Sequence, residues 1–504
     1  MAGKVYLIGA GPGDEGLITV KGLNIIKDAD VILYDRLANP RLLDYAREDV
    51  ELFYVGKKAS NHYRTQDEIN QLLVDQAQAG NVVARLKGGD PFIFGRGGEE
   101  AEVLLGEGIE FEIVPGITSP ISVAAYAGIP LTHRDFNSSV GFVTGHEDPT
   151  KDESNLNWDQ LANAMGTLVF LMGVGNLAKI TKRLIEAGRN PETPVALIRW
   201  GTRPEQETLV GTLETIVTKV KENNFKPPAI IVVGEVINLR ERLNWFETKA
   251  LFSKRIVVTR PKKQATSFSK ALARDGAKVI EAPAIKIAPP ESYQQLDQKL
   301  EQIGDYDWII FTSINGVKYF INRLFELGLD VRALAGVKLC AIGPKTSAKL
   351  NDYGLQVDYI PDDYVIESIL EGFVEQDLTG QKFLLPRADI ARELLAKELE
   401  NNRAKVDDVT TYQTIKGEGN QDLVTELEEG RVDMVTFTSS STVHNFIEQL
   451  GDDYQDLLAE VELACIGPIT AQTVRDYNLE IAVVAEEYTV EGLLVAVKGY
   501  YKNN

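Results

Sequence analysis

The sequence predicts an α/β protein made of a first half and a duplicated second half. Short apolar runs that end at glycine alternate with helical patterns, as in proteins built on α/β units. Around 237–254 this alternation gives way to a charged helical stretch, after which a new apolar strand begins. Beyond it, strand-and-loop motifs recur after about 125 residues, too long a period for a solenoid. We therefore expect a first domain over 1–243, a linker over 244–253 and a two-lobed α/β domain over 254–504.

Composition and charge limit the classes of partner. The 504 residues, with 44% hydrophobic and 25% charged side chains, are typical of a globular chain of about three domains. Lys and Arg number 53 and Asp and Glu number 74, which gives a formal net charge of −21. Because so acidic a surface repels phosphates and anionic headgroups, we expect neither nucleic acid nor a membrane as a partner. An anionic substrate would need a locally basic pocket.

Cysteine and histidine usage argues against disulfides and metals. Cys340 and Cys465 each lie in an apolar run, and the four histidines show no ligand spacing. The first apolar run breaks into glycines before a secretory segment can form. The runs at 167–175 and 228–237 are shorter than the ~20 residues that span a bilayer. We expect a cytoplasmic protein without a metal.

Eight short apolar runs of the first half are predicted strands, because they are rich in Val, Ile and Leu and are bounded by glycine or polar turn residues. These runs are 4–10, 31–34, 82–86, 111–114, 141–144, 168–172, 195–198 and 230–233. A ninth strand, 255–259, opens the second half. Because helical segments separate the strands, we expect α/β subdomains rather than an all-β fold.

The loop after the first strand nearly matches a dinucleotide-binding fingerprint. Residues 9–14 read GAGPGD, whereas the fingerprint reads G-x-G-x-x-G. Asp14 stands where the fingerprint needs glycine or alanine, and Pro12 stiffens the loop. Asp35, at the end of the second strand, is placed like the ribose-binding acid of a nicotinamide site. On this loop alone, a nicotinamide-dependent dehydrogenase stays an alternative.

A second glycine-rich loop favours another ligand. Residues 87–100, KGGDPFIFGRGGEE, hold five glycines and follow a predicted strand. Glycine at this density lets the backbone approach a ligand closely. Gly88, Gly89 and Asp90 offer amides and one carboxylate, which suit a ligand with hydroxyls and an ammonium group. S-adenosylmethionine has both and carries no phosphate, so we expect it as the cofactor.

Six motifs together carry a resemblance to a known family. The two glycine loops, VGKK at 55–58, VPGIT at 114–118, GIPLTHR at 128–134 and FLMG at 170–173 resemble uroporphyrinogen-III C-methyltransferases over about 4–243. The resemblance implies two α/β subdomains of the tetrapyrrole-methylase fold. It also implies methylation of uroporphyrinogen III at C2 and C7 by two S-adenosylmethionines, giving precorrin-2 and S-adenosylhomocysteine.

The resemblance assigns roles to individual residues. It implies Asp35 as the proton acceptor and Lys57 as the proton donor, although each would otherwise be interpreted as an ordinary surface charge. The implied cofactor-binding residues are Pro12, Gly88, Gly89, Asp90, Ile93, Thr118, Ser119, Met172 and Gly201. The methyl acceptor bears eight carboxylates, and arginine pairs with carboxylates through two hydrogen bonds. The candidate clamps, any of which is alternatively a surface charge, are Arg36, Lys58, Arg64, Arg96, His133 and Arg134.

The second half repeats its own motifs. The sequence IIFTS around Phe311 is echoed by VTFTS around Phe437, 126 residues later, and two Ile-Gly-Pro motifs lie 124 residues apart. Each places hydroxyls after a strand and at a predicted helix N-terminus, which suits an anionic carboxylate through amides and the helix dipole. Helix capping alone is the alternative. The candidate binding residues are Thr312, Ser313, Thr346, Ser439, Ser440 and Thr470.

These motifs, with VTRP at 258–261 and TYQT at 411–414, resemble uroporphyrinogen-III synthases over about 254–504. The resemblance implies cyclisation of linear hydroxymethylbilane to uroporphyrinogen III, with loss of water and inversion of ring D. Tyr412 is the candidate that assists the leaving hydroxyl, and a structural role for this tyrosine is the alternative. The family's chain crosses between the lobes twice, so the lobes need not coincide with the repeats.

The predicted protein is a bifunctional enzyme whose partners are its tetrapyrrole substrates, and the methyltransferase resemblance implies a homodimer. A methylase of a later corrin intermediate, fused to a non-catalytic binding module, is the main alternative. Nothing in the chain resembles the dehydrogenase and ferrochelatase module of sirohaem synthases, so we expect precorrin-2 to accumulate. Whether it continues to sirohaem or cobalamin is open at this point.

Overall fold

The computed structural model describes residues 3–56, 65–146, 156–260, 262–361, 366–374, 377–389, 391, 393–416 and 422–503. Its contacts divide the chain into two compact units, each with two five-stranded sheets. Unit 1 comprises Met1–Arg255, Lys270–Val279 and Tyr501–Asn504, and unit 2 comprises Ile256–Ser269 and Ile280–Tyr500. The domain limits at 243 and 254 stay a prediction.

The first sheet of unit 1 is entirely parallel. Its strands are β1 Lys4–Gly9, β2 Val31–Tyr34, β3 Glu51–Tyr54, β4 Val82–Lys87 and β5 Glu110–Val114. They lie in the order β3-β2-β4-β1-β5, so that the strand ends carrying both glycine loops are neighbours. The accompanying helices are α1 Val20–Asp28, α2 Gln66–Gln78, α3 Gly97–Gly106 and α4 Ser119–Tyr126.

The core of this sheet lies on both of its faces. Leu33 and Val83 pack on one face with Leu73 of α2 and Leu104 of α3. On the other face, Ile8 and its neighbours pack with Ile26 of α1. Because strand side chains alternate between faces, β2 and the first half of β4 are apolar on both sides, whereas the edge strands β3 and β5 keep several side chains exposed or only partly buried.

The second sheet of unit 1 is mixed. Its strands are β6 Val140–Thr144, β7 Thr167–Leu171, β8 Pro194–Arg199, β9 Glu207–Thr212 and β10 Ala229–Val233, in the order β6-β7-β10-β8-β9. Only β6 and β7 pair in parallel. Its helices are α5 Trp158–Ala164, α6 Leu177–Glu186, α7 Ile216–Glu222 and α8 Arg240–Leu243.

Unit 2 is built on two further sheets. The strands of one are β11 Arg255–Val258, β12 Lys278–Glu281, β18 Met434–Phe437, β19 Glu462–Cys465 and β20 Val483–Val484, in the order β12-β11-β18-β19-β20. Those of the other are β13 Ile285–Ala288, β14 Trp308–Phe311, β15 Lys338–Ala341, β16 Lys382–Ala388 and β17 Lys405–Lys416, in the order β13-β17-β16-β14-β15. Only β13 is shown pairing antiparallel, with β17.

Helices cover both sheets of unit 2. Phe320 and Phe446, in corresponding helices, are fully buried against Phe311 and Phe437 at edge-to-face angles. The helices are α9 Lys262–Arg274, α10 Gln294–Leu300, α11 Ile314–Glu326, α12 Pro344–Asn351, α13 Ile366–Val374, α14 Leu394–Asn401, α15 Leu423–Glu428, α16 Ser440–Leu450, α17 Tyr454–Leu457, α18 Pro468–Asp476 and α19 Val490–Asn503.

Each sheet of unit 2 takes strands from both sequence repeats. The first repeat's strand β11 pairs with β18 of the second repeat, while its strand β14 pairs with β16. The sequence repeats therefore do not coincide with the two sheets, as the resemblance implied.

The predicted α/β class is confirmed, and each of the nine predicted strands exists, with both of its ends within one residue of the prediction. Two strands of the first half, β3 and β9, were not predicted. Both are edge strands whose side chains are exposed or only partly buried, so neither forms a continuous apolar run in the sequence. Within the described ranges, no helix is both long and apolar enough to cross a membrane.

Candidate active sites

A cavity of about 340 Å³ lies in unit 1, at the carboxyl ends of the first sheet's strands. It is lined from the first sheet by the loops after β1, β2 and β4 and by the start of α4, and from the second sheet by residues after β7 and β8. All nine predicted cofactor-binding residues line it: Pro12, Gly88, Gly89, Asp90, Ile93, Thr118, Ser119, Met172 and Gly201.

The two glycine loops touch through their backbones. The Gly11 amide donates to the Gly89 carbonyl at 3.2 Å, and the Gly89 amide donates to the Gly11 carbonyl at 2.7 Å. Both glycines have a φ near +75°, which side chains rarely adopt. At Gly9, an added Cβ would lie 2.4 Å from the Cα of Gly116. Only glycine permits this approach, so the loop backbones themselves form the cavity's floor.

Asp90 joins these loops and faces the cavity. Its Oδ1 accepts a hydrogen bond from the Phe92 amide at 2.8 Å, and its Oδ2 accepts one from the Gly116 amide at 3.0 Å. A carboxylate held in this way still has lone pairs for ligand hydroxyls. It therefore gives the floor one fixed negative charge.

Asp14 does not line the cavity but braces the first loop. Its amide donates to the Thr202 hydroxyl at 3.0 Å, and its carboxylate accepts from the Gly16 amide at 2.8 Å and from the Tyr126 hydroxyl at 2.7 Å. The mismatch with the dinucleotide fingerprint thus has a structural cause: Asp14 ties the loop after β1 to the loop after β8.

Asp35 lines the cavity from the end of β2. Its Oδ1 accepts hydrogen bonds from the amides of Leu37 at 2.9 Å and Ala38 at 3.3 Å, and its Oδ2 lies 3.7 Å from Nη2 of Arg85. Its side chain is 24% exposed, so it is reachable from the cavity yet fixed in direction. Lys57, the predicted proton donor, lies outside the described residues, as do Lys58 and Arg64.

The other predicted clamps are only partly brought to the cavity. Arg96 lines it and pairs with Glu99 at 2.6 Å. Arg36 lies 5.5 Å from the ring centre of Trp200, itself a lining residue. His133 and Arg134 do not line the cavity; the His133 ring packs against Phe136 and accepts the Asp135 amide at 3.2 Å.

Sequence reasoning missed several lining residues. Trp200 and Arg203 follow β8, and Lys87 ends β4. The Arg203 guanidinium lies 5.1 Å from the centre of Trp200, and burial lowers its pKa. For Lys87, a signal was available: Lys87 and Arg85 both lie inside an otherwise apolar strand. Burying a charged side chain there costs free energy unless an opposite charge pairs with it.

In unit 2, Tyr412 and Ser313 meet. Their hydroxyl oxygens are 2.9 Å apart, and the Tyr412 ring stacks on Tyr319 with centres 5.8 Å apart. Burial raises the pKa of Tyr412, which keeps it protonated. Ser313 also caps α11 by accepting the Gly316 amide at 2.9 Å, so the predicted capping role and a contact with Tyr412 coexist.

The remaining predicted hydroxyls sit at helix starts. Ser439 caps α16 and forms a capping box with Thr442. Ser440 accepts a hydrogen bond from Thr473 at 2.7 Å. Thr346 and Thr470 are buried in the first turns of α12 and α18, and Thr312 is half-buried before α11. Capping thus accounts for Ser439, while the structure shows no contact that assigns Thr312 a role.

Comparisons with known proteins match both halves of the chain. Residues 4–217 match the family model of tetrapyrrole (corrin/porphyrin) methylases, and residues 266–495 match that of uroporphyrinogen-III synthase HemD. Porphyrin biosynthesis protein HemD of Ruminiclostridium josui is 39% identical over 98% of this chain and 97% of its own length. A uroporphyrinogen-III C-methyltransferase of Bacillus subtilis is 44% identical over 72% of this chain and 74% of its own.

Solved structures resemble one half each. Uroporphyrin-III C-methyltransferase of Thermus thermophilus, complexed with S-adenosyl homocysteine, is 40% identical over 47% of this chain and all of its own, with a TM-score of 0.41. A mutant uroporphyrinogen III synthase of the same species is 20% identical over 50% of this chain and all of its own, with a TM-score of 0.39.

The folds, the glycine-lined cavity and these matches define a two-part enzyme of tetrapyrrole biosynthesis. The chain belongs to the family in which a uroporphyrinogen-III methyltransferase is fused to a uroporphyrinogen-III synthase.

Proposed function

We propose that unit 1 methylates uroporphyrinogen III at C2 and C7 with S-adenosylmethionine to give precorrin-2. Unit 2 supplies that substrate by cyclising hydroxymethylbilane with inversion of ring D. The observation that carries the first half is the convergence, in one cavity, of nine residues spread from Pro12 to Gly201. The methyltransferase and synthase names of the relatives support the pairing of the two activities.

The residues present fit S-adenosylmethionine. A cavity of about 340 Å³ lies within the usual range for small-molecule sites. Its floor offers backbone groups and the Asp90 carboxylate, which suit ribose hydroxyls and an ammonium group. Ile93, Val123 and Met172 supply apolar lining for a base. S-adenosylmethionine brings the electrophilic methyl group on a sulfonium that leaves readily.

Asp35 accepts a proton in this proposal. The amides of Leu37 and Ala38 hold one carboxylate oxygen, Oδ1, which leaves Oδ2 to receive the proton. Proton transfer to such a positioned group is worth ~10²–10⁴ in rate. Arg96 and Arg203, which line the same cavity, are placed to pair with acceptor carboxylates, and Lys57 is the proposed proton donor.

Tyr412 assists the leaving group in unit 2. Its buried hydroxyl donates to the hydroxyl of hydroxymethylbilane, which departs as water. Ser313, 2.9 Å from the Tyr412 oxygen, accepts or donates to keep that hydroxyl oriented. Because the substrate is itself reactive, holding its ends together supplies most of the acceleration, and we expect no residue of unit 2 to be indispensable.

A combined assay tests both halves. We expect the purified chain, given hydroxymethylbilane and S-adenosylmethionine, to form a doubly methylated uroporphyrinogen detectable by mass spectrometry. Asp35→Asn should slow methylation by ~10²–10⁴-fold while uroporphyrinogen III still forms, and Tyr412→Phe should slow cyclisation while supplied uroporphyrinogen III is still methylated. Asp28→Asn, an exposed carboxylate at the end of α1, is the control. Formation of only the spontaneous type I isomer would contradict the synthase assignment.

A further inference from the structure

A buried group of charged side chains lies behind Asp35 and has no part in the function proposed so far. Arg85 and Lys87, both 4% exposed, project from β4, and Glu100 of α3 is fully buried. Glu100 Oε1 lies 2.6 Å from Nζ of Lys87 and 3.4 Å from Nε of Arg85. The three side chains are called the charge network below.

The sequence places this network beside the cavity. Residues 83, 85 and 87 of β4 share one face, and 31, 33 and 35 follow the same alternation along β2. Val83, Val31 and Leu33 belong to the apolar core, whereas Arg85, Lys87 and Asp35 stand at its carboxyl end. The strands pair at Tyr34 and Leu86, so Asp35 and Lys87 follow side by side.

Burying the charge network costs free energy. The penalty for each buried charge is roughly several kcal/mol unless its partners compensate for the lost water. Glu100 Oε1 accepts hydrogen bonds from Lys87, Arg85 and Gln66, while its Oε2 has no hydrogen-bond partner among the described residues. Burial and the neighbouring Arg85 lower the pKa of Lys87, against the opposing pull of Glu100. A stability role alone would be met better by apolar residues, which points to a function.

Arg85 is the member that reaches Asp35. Its Nη2 lies 3.7 Å from Asp35 Oδ2, its Nε faces Glu100 and its Nη1 donates to the Leu86 carbonyl at 2.9 Å. Arg85 does not line the cavity. We propose that Arg85, fixed by Glu100, is a positioning residue that aims the Asp35 carboxylate during methyl transfer. This inference rests on the proposed role of Asp35 as proton acceptor.

The decisive measurement is a double-mutant cycle between Arg85 and Asp35 in the full chain. Arg85→Gln should lower kcat for methyl transfer by about tenfold to a hundredfold, because a small misplacement of a reacting group costs that much. The affinity for S-adenosylhomocysteine should stay unchanged. In the Asp35→Asn background, followed by single-turnover mass spectrometry, Arg85→Gln should cause no further loss. Arg85→Lys should restore part of kcat.

A matched control is Arg189→Gln. Arg189 is also partly buried in unit 1 and donates to the carbonyls of Ala162, Met165 and Gly166, away from the cavity. Arg189→Gln should change kcat by the same factor in the wild-type protein and in the Asp35→Asn background. Should Arg85→Gln fail to fold, Arg85→Lys and Glu100→Gln take its place in the same cycle.

Three results would overturn the proposal. These are a normal kcat for folded Arg85→Gln, an equal loss in the Asp35→Asn background, and a loss confined to cofactor affinity. An Asp35→Asn variant with full activity would instead remove the proposed proton acceptor, and the role of Arg85 with it. If Asp35→Asn lowers kcat but Arg85→Gln does not, the proposed function stands and only the positioning role of Arg85 is rejected.

Discussion

Asp14 joins segments of unit 1 that are far apart in the sequence, through hydrogen bonds with Thr202 and Tyr126. Its presence in GAGPGD argued against a dinucleotide site, but the sequence could not tell what it does instead. Its partners Tyr126 and Thr202 lie 112 and 188 positions away, and only the folded chain brings them together. A mismatch in a motif is visible from sequence, whereas the distant contact that requires it is not.

Asp14→Ala should weaken both stability and cofactor binding. Removal of the carboxylate takes the acceptor from the part-buried Tyr126 hydroxyl, at about 1 kcal/mol, whereas the exposed Gly16 amide can bond to water instead. The loop that carries Pro12 then loses its brace. Denaturant unfolding and calorimetric binding of S-adenosylhomocysteine measure the two effects. Asp28→Ala should change neither, and wild-type affinity in Asp14→Ala would show that the brace is irrelevant.

Ser313 and Ser439 form a natural pair for separating capping from catalysis. Each caps the helix after corresponding strands, yet only Ser313 contacts Tyr412. Loss of either cap should cost about 1 kcal/mol of stability. Ser313→Ala should lower the synthase rate more than Ser439→Ala does, measured as uroporphyrinogen III formed from hydroxymethylbilane. Equal synthase rates in the two variants would mean that Ser313 acts only as a helix cap.

At the scale of elements, three loops of the first sheet meet through glycine. Gly116 would place a Cβ 2.3 Å from the Gly89 carbonyl oxygen and 2.6 Å from the Cα of Gly9. The dense glycine content of the loops was enough to predict a close backbone approach, because no other residue allows it. It did not reveal that the loops approach one another as well as a ligand.

Gly116→Ala should therefore abolish tight cofactor binding. The new methyl group can only be accommodated by moving backbone, which separates the loops that carry Asp90 and Gly11. Calorimetric titration with S-adenosylhomocysteine is the measurement. Gly98→Ala, in α3, meets nothing within 4 Å and should bind normally. Normal binding by Gly116→Ala would mean that the loops need no such contact.

Strands β15 and β19 each end near a buried thiol. Burial raises the pKa of Cys340 and of Cys465 to about 12, so both stay protonated and unreactive at neutral pH. We expect an aromatic disulfide reagent at pH 8 to label neither thiol in the native protein and both after denaturation. Cys340→Ser and Cys465→Ser report the two strands separately. Prompt labelling of the native protein would contradict this burial.

The same thiols predict a pH dependence of stability. Their pKa in the folded protein lies above the ordinary value of 9.0, so the folded state holds its protons where the unfolded state releases them. This contribution is fully present below pH 9 and is lost as the pH rises towards 12. Denaturant unfolding between these values should show a steeper loss of stability than in the variant lacking both thiols.

At the scale of the molecule, apolar runs were enough to predict the α/β class and the strands of both halves. Strands buried on both faces can be predicted from their apolar composition, whereas the edge strands β3 and β9 are interrupted by polar or exposed residues and were not predicted. The cofactor residues could be found because motifs mark them. Only part of the charge network could be found: Arg85 and Lys87 stand out inside an apolar strand, but Glu100 looks like any acid at the start of a helix.

Strand exchange between the repeats has a consequence for synthesis on the ribosome. On one side β11 lies next to β12, but on the other Ile256 pairs with Met434, about 180 residues later, so this side of β11 must wait until most of unit 2 has been made. Until then its edge is open to wrong partners, including other nascent chains. Slow translation or a holding chaperone would therefore influence the yield of this enzyme more through unit 2 than through unit 1, whose parallel sheet closes within the first 114 residues.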